Sequence, residues 1–319
     1  MPLKKTWKVI KDLVAEFFES NVMKLSGSLA FFTVFSLPGL LIIIIWFSNL
    51  FYGHEVVEKS VYTQIEGFVG HDAALNIQQT IHNATQSASS NFATIIGIAS
   101  LIIGATSVFG EIQDSINLIW KLKARPRKGW AWLKLIINRL LSFSMIITLG
   151  FILLVSLILN GAMDLLLNNL MEKFPQLTVI LVYIINLILT FLISTFIFGA
   201  LFKVLPDARV EWKHVKMGAV VTAFLFMVGK FLISYYLGHN RMTSAYGAAG
   251  SVIVILLWVY YSSIILYFGA VFTHVYAIHT GSRIYPNKYA VWVQQVEVES
   301  EKSIQQQPET KTIVKAENK

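Results

Sequence analysis

A charged side chain inside an apolar run is the first place to look for chemistry, because placing a charge in a bilayer costs at least a few kcal/mol and such residues tend to face a cavity or a partner. Lys230 is such a residue, the single charge between Met217 and Gly238. Glu111 and Asp114 follow the apolar run Phe92 to Gly110 and fall at a membrane boundary, where the basic residues from Lys121 to Lys128 are available to pair with them. Asn186 lies inside the run Phe174 to Phe202, and Asn160 closes the run Leu140 to Met163. Amides in such places most often join two helices by a hydrogen bond worth about 0.6 kcal/mol. Lys230, Glu111, Asp114 and Asn186 are therefore the candidate contacts for a substrate or lipid headgroup. The plainer account is a snorkelling lysine, boundary ion pairs and interhelical bonds.

Catalytic and metal motifs are absent at their required spacings. No glycine-rich loop ends in Gly-Lys-Ser or Gly-Lys-Thr, and neither a Gly-x-Ser-x-Gly elbow nor a His-Glu-x-x-His pair occurs. With no cysteine in the chain, thiolate zinc sites, disulfides and cysteine nucleophiles are excluded. His54, His71 and His82 share a segment with Glu55, Glu58 and Asp72. Exposed groups of this kind are ordinarily solvated, so the expectation is no metal, no cofactor and no enzymatic activity.

The elements that position these residues are long apolar runs. Of 319 residues, 55% are hydrophobic and 14% charged, against about 25% charged in a typical soluble domain. A bilayer core needs roughly 20 apolar residues per spanning helix. Leu25 to Gly53, Phe92 to Gly110, Leu140 to Met163 and Phe174 to Phe202 carry no Asp, Glu, Lys or Arg, and Met217 to Gly238 and Met242 to Ser282 supply two further runs. The expected fold is all-α, a polytopic six-helix transmembrane bundle over residues 25–282. An amphipathic lead-in precedes it at 1–24, an outer cap interrupts it at 52–91, and a partly disordered tail follows at 283–319. In the lead-in, Trp7, Ile10, Val14, Phe17 and Phe18 recur at helical spacing. The first run starts after 24 residues and is far longer than a signal-peptide core, so it is expected to stay as a span.

Two local features concern packing. Pro38 and Gly39 interrupt the first run, where a missing amide donor permits a kink. Ala93, Gly97, Ser100, Gly104 and Ser107 make one small-residue stripe along the second run, and Gly97, Ser100 and Gly104 are expected to let another helix approach closely.

The net charge of +8 is a matter of topology. With the N-terminus inside, 22 of the 26 Lys and Arg fall in cytoplasmic segments, and the outside keeps Lys59, Lys173 and Arg241. This asymmetry places both termini in the cytoplasm and makes anionic membrane lipids, not nucleic acid, the expected partner. The composition leaves a homo-oligomer open.

Several stretches resemble the YihY/virulence factor BrkB family of inner-membrane proteins, once labelled ribonuclease BN-like. They are Ser28 to Leu40, Asp114 to Trp120, Leu205-Pro206-Asp207, Trp212, Gly218-Ala219, Gly229-Lys230, Tyr236-Leu237, Tyr246-Gly247-Ala248, Trp258-Val259-Tyr260 and Gly269-Ala270. The resemblance covers roughly residues 10 to 280 and implies a six-helix inner-membrane fold with a role in the cell envelope. It suggests movement of a lipid or other amphiphile between leaflets, with a non-transporting envelope scaffold as the alternative. The old ribonuclease label finds no ligand cluster to support it.

The charge asymmetry makes a direct prediction. Reporter fusions at Asn76, Asn168 and Asn240 should report the outside, and fusions at Lys128, Lys213 and Tyr289 the cytoplasm; a cytoplasmic signal at Asn76 would sink this topology.

Overall fold

Lipid offers no partner to a backbone amide, so an apolar chain of this kind satisfies its backbone within helices. The computed structural model describes residues 3–51, 91–124, 175–239, 248–282, 284–287 and 290–293. Six helices are found there: α1 (Leu3–Glu19), α2 (Val22–Phe51), α3 (Asn91–Ile119), α4 (Pro175–Val204), α5 (Trp212–His239) and α6 (Ala248–His279). Three of them contain segments long and apolar enough to cross a membrane, Leu187–Val204, Trp212–Ile233 and Ile255–His279. The expected span Leu140 to Met163 and the expected outer cap, apart from Asn91, lie outside the described residues.

The helix ends follow from their terminal residues. Asn21 adopts a left-handed φ of 52°, a conformation Asn tolerates better than most side chains, and breaks α1 from α2. α3 ends one residue before Trp120, and Lys121 turns the chain with φ 57°. Pro175 opens α4 at the position where its missing N–H costs nothing, and Pro206 follows the end of α4 at Val204. Gly281, with φ 80°, closes α6. There the Ser282 amide donates to the Ala277 carbonyl and the Gly281 amide to the Ile278 carbonyl, both at 3.1 Å. α2 runs through Pro38 and Gly39 as one helix.

Four short strands, absent from the all-α expectation, form two antiparallel pairs. β1 (Leu122–Ala124) pairs with β4 (Ala290–Trp292), and β2 (Ala208–Arg209) with β3 (Tyr285–Pro286). The chain after α6 thus returns to bind the segments that follow α3 and α4. Val293 N–H donates to the Lys121 carbonyl at 2.8 Å and extends the first pair.

α6 is the common wall, packing on α1, α2, α3 and α5, while α2 packs on α3 and α4 on α5. The α5–α6 contact is built from one motif used twice. Thr222 bonds the Gly218 carbonyl on α5, and Thr273 bonds the Gly269 carbonyl on α6. A carbon added at Gly218 would run into the Thr273 hydroxyl, and one added at Gly269 would run into the Thr222 hydroxyl. The two helices therefore exchange threonines into each other's glycine gaps, with each hydroxyl already satisfied on its own helix. At the α2–α3 contact, a carbon on Gly104 would stand 2.6 Å from Ser36 Cβ and 2.8 Å from Ser36 Cα.

Among the described side chains, the buried ones gather at the end that carries the strands: Val22 and Leu29 on α2, Ile116 on α3, Phe202 on α4, Ala223 on α5 and Val271 on α6. Toward the far end, Phe35, Ile103, Ile188, Phe231, Leu232 and Val252 are exposed. Large apolar side chains on the outer helix faces are exposed at the strand-bearing end as well, among them Met23, Leu118, Val204 and Trp212.

Gly269→Ala should lower the thermal midpoint in detergent through a clash of about 1–3 kcal/mol, and Thr222→Ala in the same chain should recover part of it. Gly110→Ala, where nothing lies within 4 Å, should leave the midpoint unchanged. Equal stability for both glycine variants would contradict the exchange.

Candidate functional site

Polar residues converge at the strand-bearing end, and Asp207 is their centre. It follows Leu205-Pro206 in the turn between α4 and β2, with 3% of its surface exposed. Its Oδ1 accepts from Gln113 Nε2 at 3.1 Å and its Oδ2 from Asn117 Nδ2 at 3.2 Å, while its own amide donates to Asn117 Oδ1 at 2.8 Å. Its carbonyl accepts from the Asn287 amide at 2.9 Å. Gln113 and Asn117 stand one turn apart on α3, so a single helix face presents both amides to one carboxylate. One turn has been fastened to α3 and to the chain beyond α6. Beside it, Trp120 Nε1 donates to the Ala270 carbonyl at 3.0 Å and ties the end of α3 to α6.

A second cluster joins α1 to α6. Asp12 Oδ2 lies 2.9 Å from His279 Nε2. One turn along, Glu16 Oε1 lies 3.7 Å from His274 Nδ1 and 3.4 Å from Lys121 Nζ. Lys121 also donates to Glu19 Oε1 at 3.4 Å. Burial pushes the Glu16 carboxyl above its usual value, although the Lys121 charge opposes the shift. Burial works against the Lys121 charge too, yet Glu16 and Glu19 together hold its ammonium above the ordinary lysine value. Val9, Leu13 and Phe17 pack against the core beside these pairs.

The residues singled out from sequence do not gather in one place. Lys230 is half-buried on α5, about 13 Å along the axis from the helix end at His239, toward the far end. Next to it, a carbon on Gly229 would strike the Tyr261 hydroxyl. Glu111 is half-buried on α3, one turn from the buried Ser115, and Asp114 is exposed. Asn186 is on α4, Gly97 and Ser100 are on α3, and their side chains lie outside the described residues. Lys121 turns to Glu16 and Glu19 of α1. Among the described residues, no three His, Asp or Glu side chains converge as metal ligands would.

A family model described as virulence factor BrkB matches residues 13–290. The chain belongs to the virulence factor BrkB family. The match takes in both clusters except Asp12. Curated relatives are named only as UPF0761 membrane proteins. One from Nitrosospira multiformis is 26% identical over 85% of this chain and 62% of its own length. Another from Vibrio vulnificus is 22% identical over 82% of this chain and 80% of its own, and one from Pseudoalteromonas atlantica is 27% identical over 78% and 79%. The chain thus spans less than two thirds of the Nitrosospira relative. No solved structure matches. This BrkB-family chain is a membrane protein, and the relatives' names state no catalytic activity.

Sequence reasoning missed Asp207 as a hub and the acid–histidine pairs of α1 and α6. The spacing of Gln113 and Asn117, and of Asp12 and Glu16, was visible, but their partners lie about 90 and more than 250 residues away in the chain. Asp207→Ala would leave one buried and one half-buried amide donor unmet and should cost about 1–3 kcal/mol. Asp207→Asn, which keeps one acceptor, should fall between it and wild type in detergent melts. An unchanged midpoint for Asp207→Ala would show that the junction carries no stability.

Proposed function

We propose that this chain is a six-span, non-enzymatic transporter of the cell envelope that moves an anionic lipid or similar amphiphile between leaflets, with both termini in the cytoplasm. The observation that carries this reading is Lys230, a half-buried charge within the apolar helix α5, since a charge held at such a depth tends to face a cavity or a partner. Under the charge asymmetry of the loops, the strand-bearing end faces the cytoplasm.

Lys230 is assigned to the substrate's anionic headgroup. Its depth is near the limit from which a lysine can snorkel to the surface, and a phosphate or carboxylate would offset the cost of holding its charge there. Glu111 and Asp114, in the opposite half, are further candidates for contact with substrate or lipid at the cytoplasmic side. Asn186, on α4, is a further candidate for the path.

Purified protein in liposomes carrying a fluorescently labelled anionic phospholipid tests the reading by dithionite quenching of the outer leaflet. Wild type should let the protected inner-leaflet signal decay. Lys230→Met, which removes charge but keeps apolar bulk, should slow that decay about tenfold, as loss of roughly 1.4 kcal/mol at the headgroup would. Lys230→Arg should keep part of the rate. Decay no faster than in protein-free liposomes would overturn transport and leave the envelope scaffold.

A further inference from the structure

Among the described residues, four buried side-chain atoms lack a hydrogen-bond partner: Glu16 Oε1, His274 Nδ1, Ser115 Oγ and the Tyr267 hydroxyl. Tyr267 and His274 are seven residues apart on α6 and share one face of that helix. Glu16 Oε1 and His274 Nδ1 confront each other across 3.7 Å, too far for a hydrogen bond and too close for two buried polar atoms to ignore each other. With the ring hydrogen on the other nitrogen, two lone pairs face each other across that gap. A proton placed between them turns the repulsion into a charge-assisted bond.

We propose that Glu16 and His274 form a proton-binding site between α1 and α6, and that loading it tightens α1 onto the bundle. The charged groups around the pair come from three elements. Lys121, in the turn after α3, reaches the same Glu16 oxygen, and Glu19 of α1 shares that lysine. Asp12 of α1 and His279 of α6 form a parallel pair one turn away. Burial raises the Glu16 carboxyl, so the docked state holds a proton more firmly than an undocked helix would. Docking therefore strengthens as pH falls through that raised value toward 4.5 and weakens above it. Only the further step, in which this proton drives the transport proposed above, rests on that reading.

Because the full chain has no cysteine, single cysteines report docking directly. In nanodiscs, maleimide labelling of Val9→Cys, a position packed against the core, is divided by that of the exposed Lys8→Cys, which cancels the pH dependence of the thiol itself. The ratio should fall about threefold as pH is lowered from neutral toward 4.5, the direction set by the raised Glu16 carboxyl. Glu16→Gln and His274→Gln should each abolish the change, while Asp12→Asn should keep most of it. A pH-independent ratio in the otherwise wild-type chain, or an intact response in both variants, would overturn the site. The readout involves no lipid movement, so its failure is distinct from failure of transport.

Discussion

Asp207 is the side chain on which the strand-bearing end depends. A carboxylate with 3% exposure is costly unless each of its oxygens is met, and here each accepts from an α3 side-chain amide, while the residue's own amide donates to Asn117 and its carbonyl accepts from Asn287. The consequence is geometric. The turn after α4, the face of α3 and the chain beyond α6 can be displaced from one another only by exposing a buried charge. The β pairings then add backbone bonds to a junction whose register is already set by a side chain.

Away from that junction the helices are held by shape. Lipid tails are as apolar as leucine, so no hydrophobic drive brings α5 to α6, and close approach must supply the attraction. The exchanged pairs Gly218 with Thr273 and Gly269 with Thr222 do this in both directions across one interface. Each threonine satisfies its hydroxyl on its own helix, so the contact needs no interhelical hydrogen bond and is limited only by backbone distance. α6 carries this contact on one side and Trp120 on another, which makes it the shared wall of the described bundle.

The helices were legible because an apolar run longer than 18 residues admits almost no other structure in lipid. Helix stops were legible in part: Pro206 and Gly281 announce theirs, whereas the left-handed turns at Asn21 and Lys121 give weaker signals. The strands were not legible. Leu122–Ala124 and Tyr285–Pro286 are too short for any period-2 pattern, and each exists only because a partner far along the chain lies beside it. The same limit hid the clusters. Asp207 stands in the sequence only within the stretch Leu205-Pro206-Asp207, and nothing local singles out Glu16 in the lead-in, because charge pairing across 90 to 270 residues leaves no local trace.

The placement of charge makes a consistent division of labour. Asp12, Glu16, Asp207, Lys121, His274 and His279 all lie at the end where side chains are buried, and every ionic contact described above spans two segments there. Lys230 lies on α5 toward the other end. A rigid-body rearrangement that loosened the strand-bearing end would have to break several charge-assisted contacts together, whereas one at the far end would trade van der Waals contact with lipid for contact with protein at little net change. Loosening the strand-bearing end requires that some of its charge be neutralised first, and Glu16, whose carboxyl burial raises above its usual value, is the group there best placed to take up a proton.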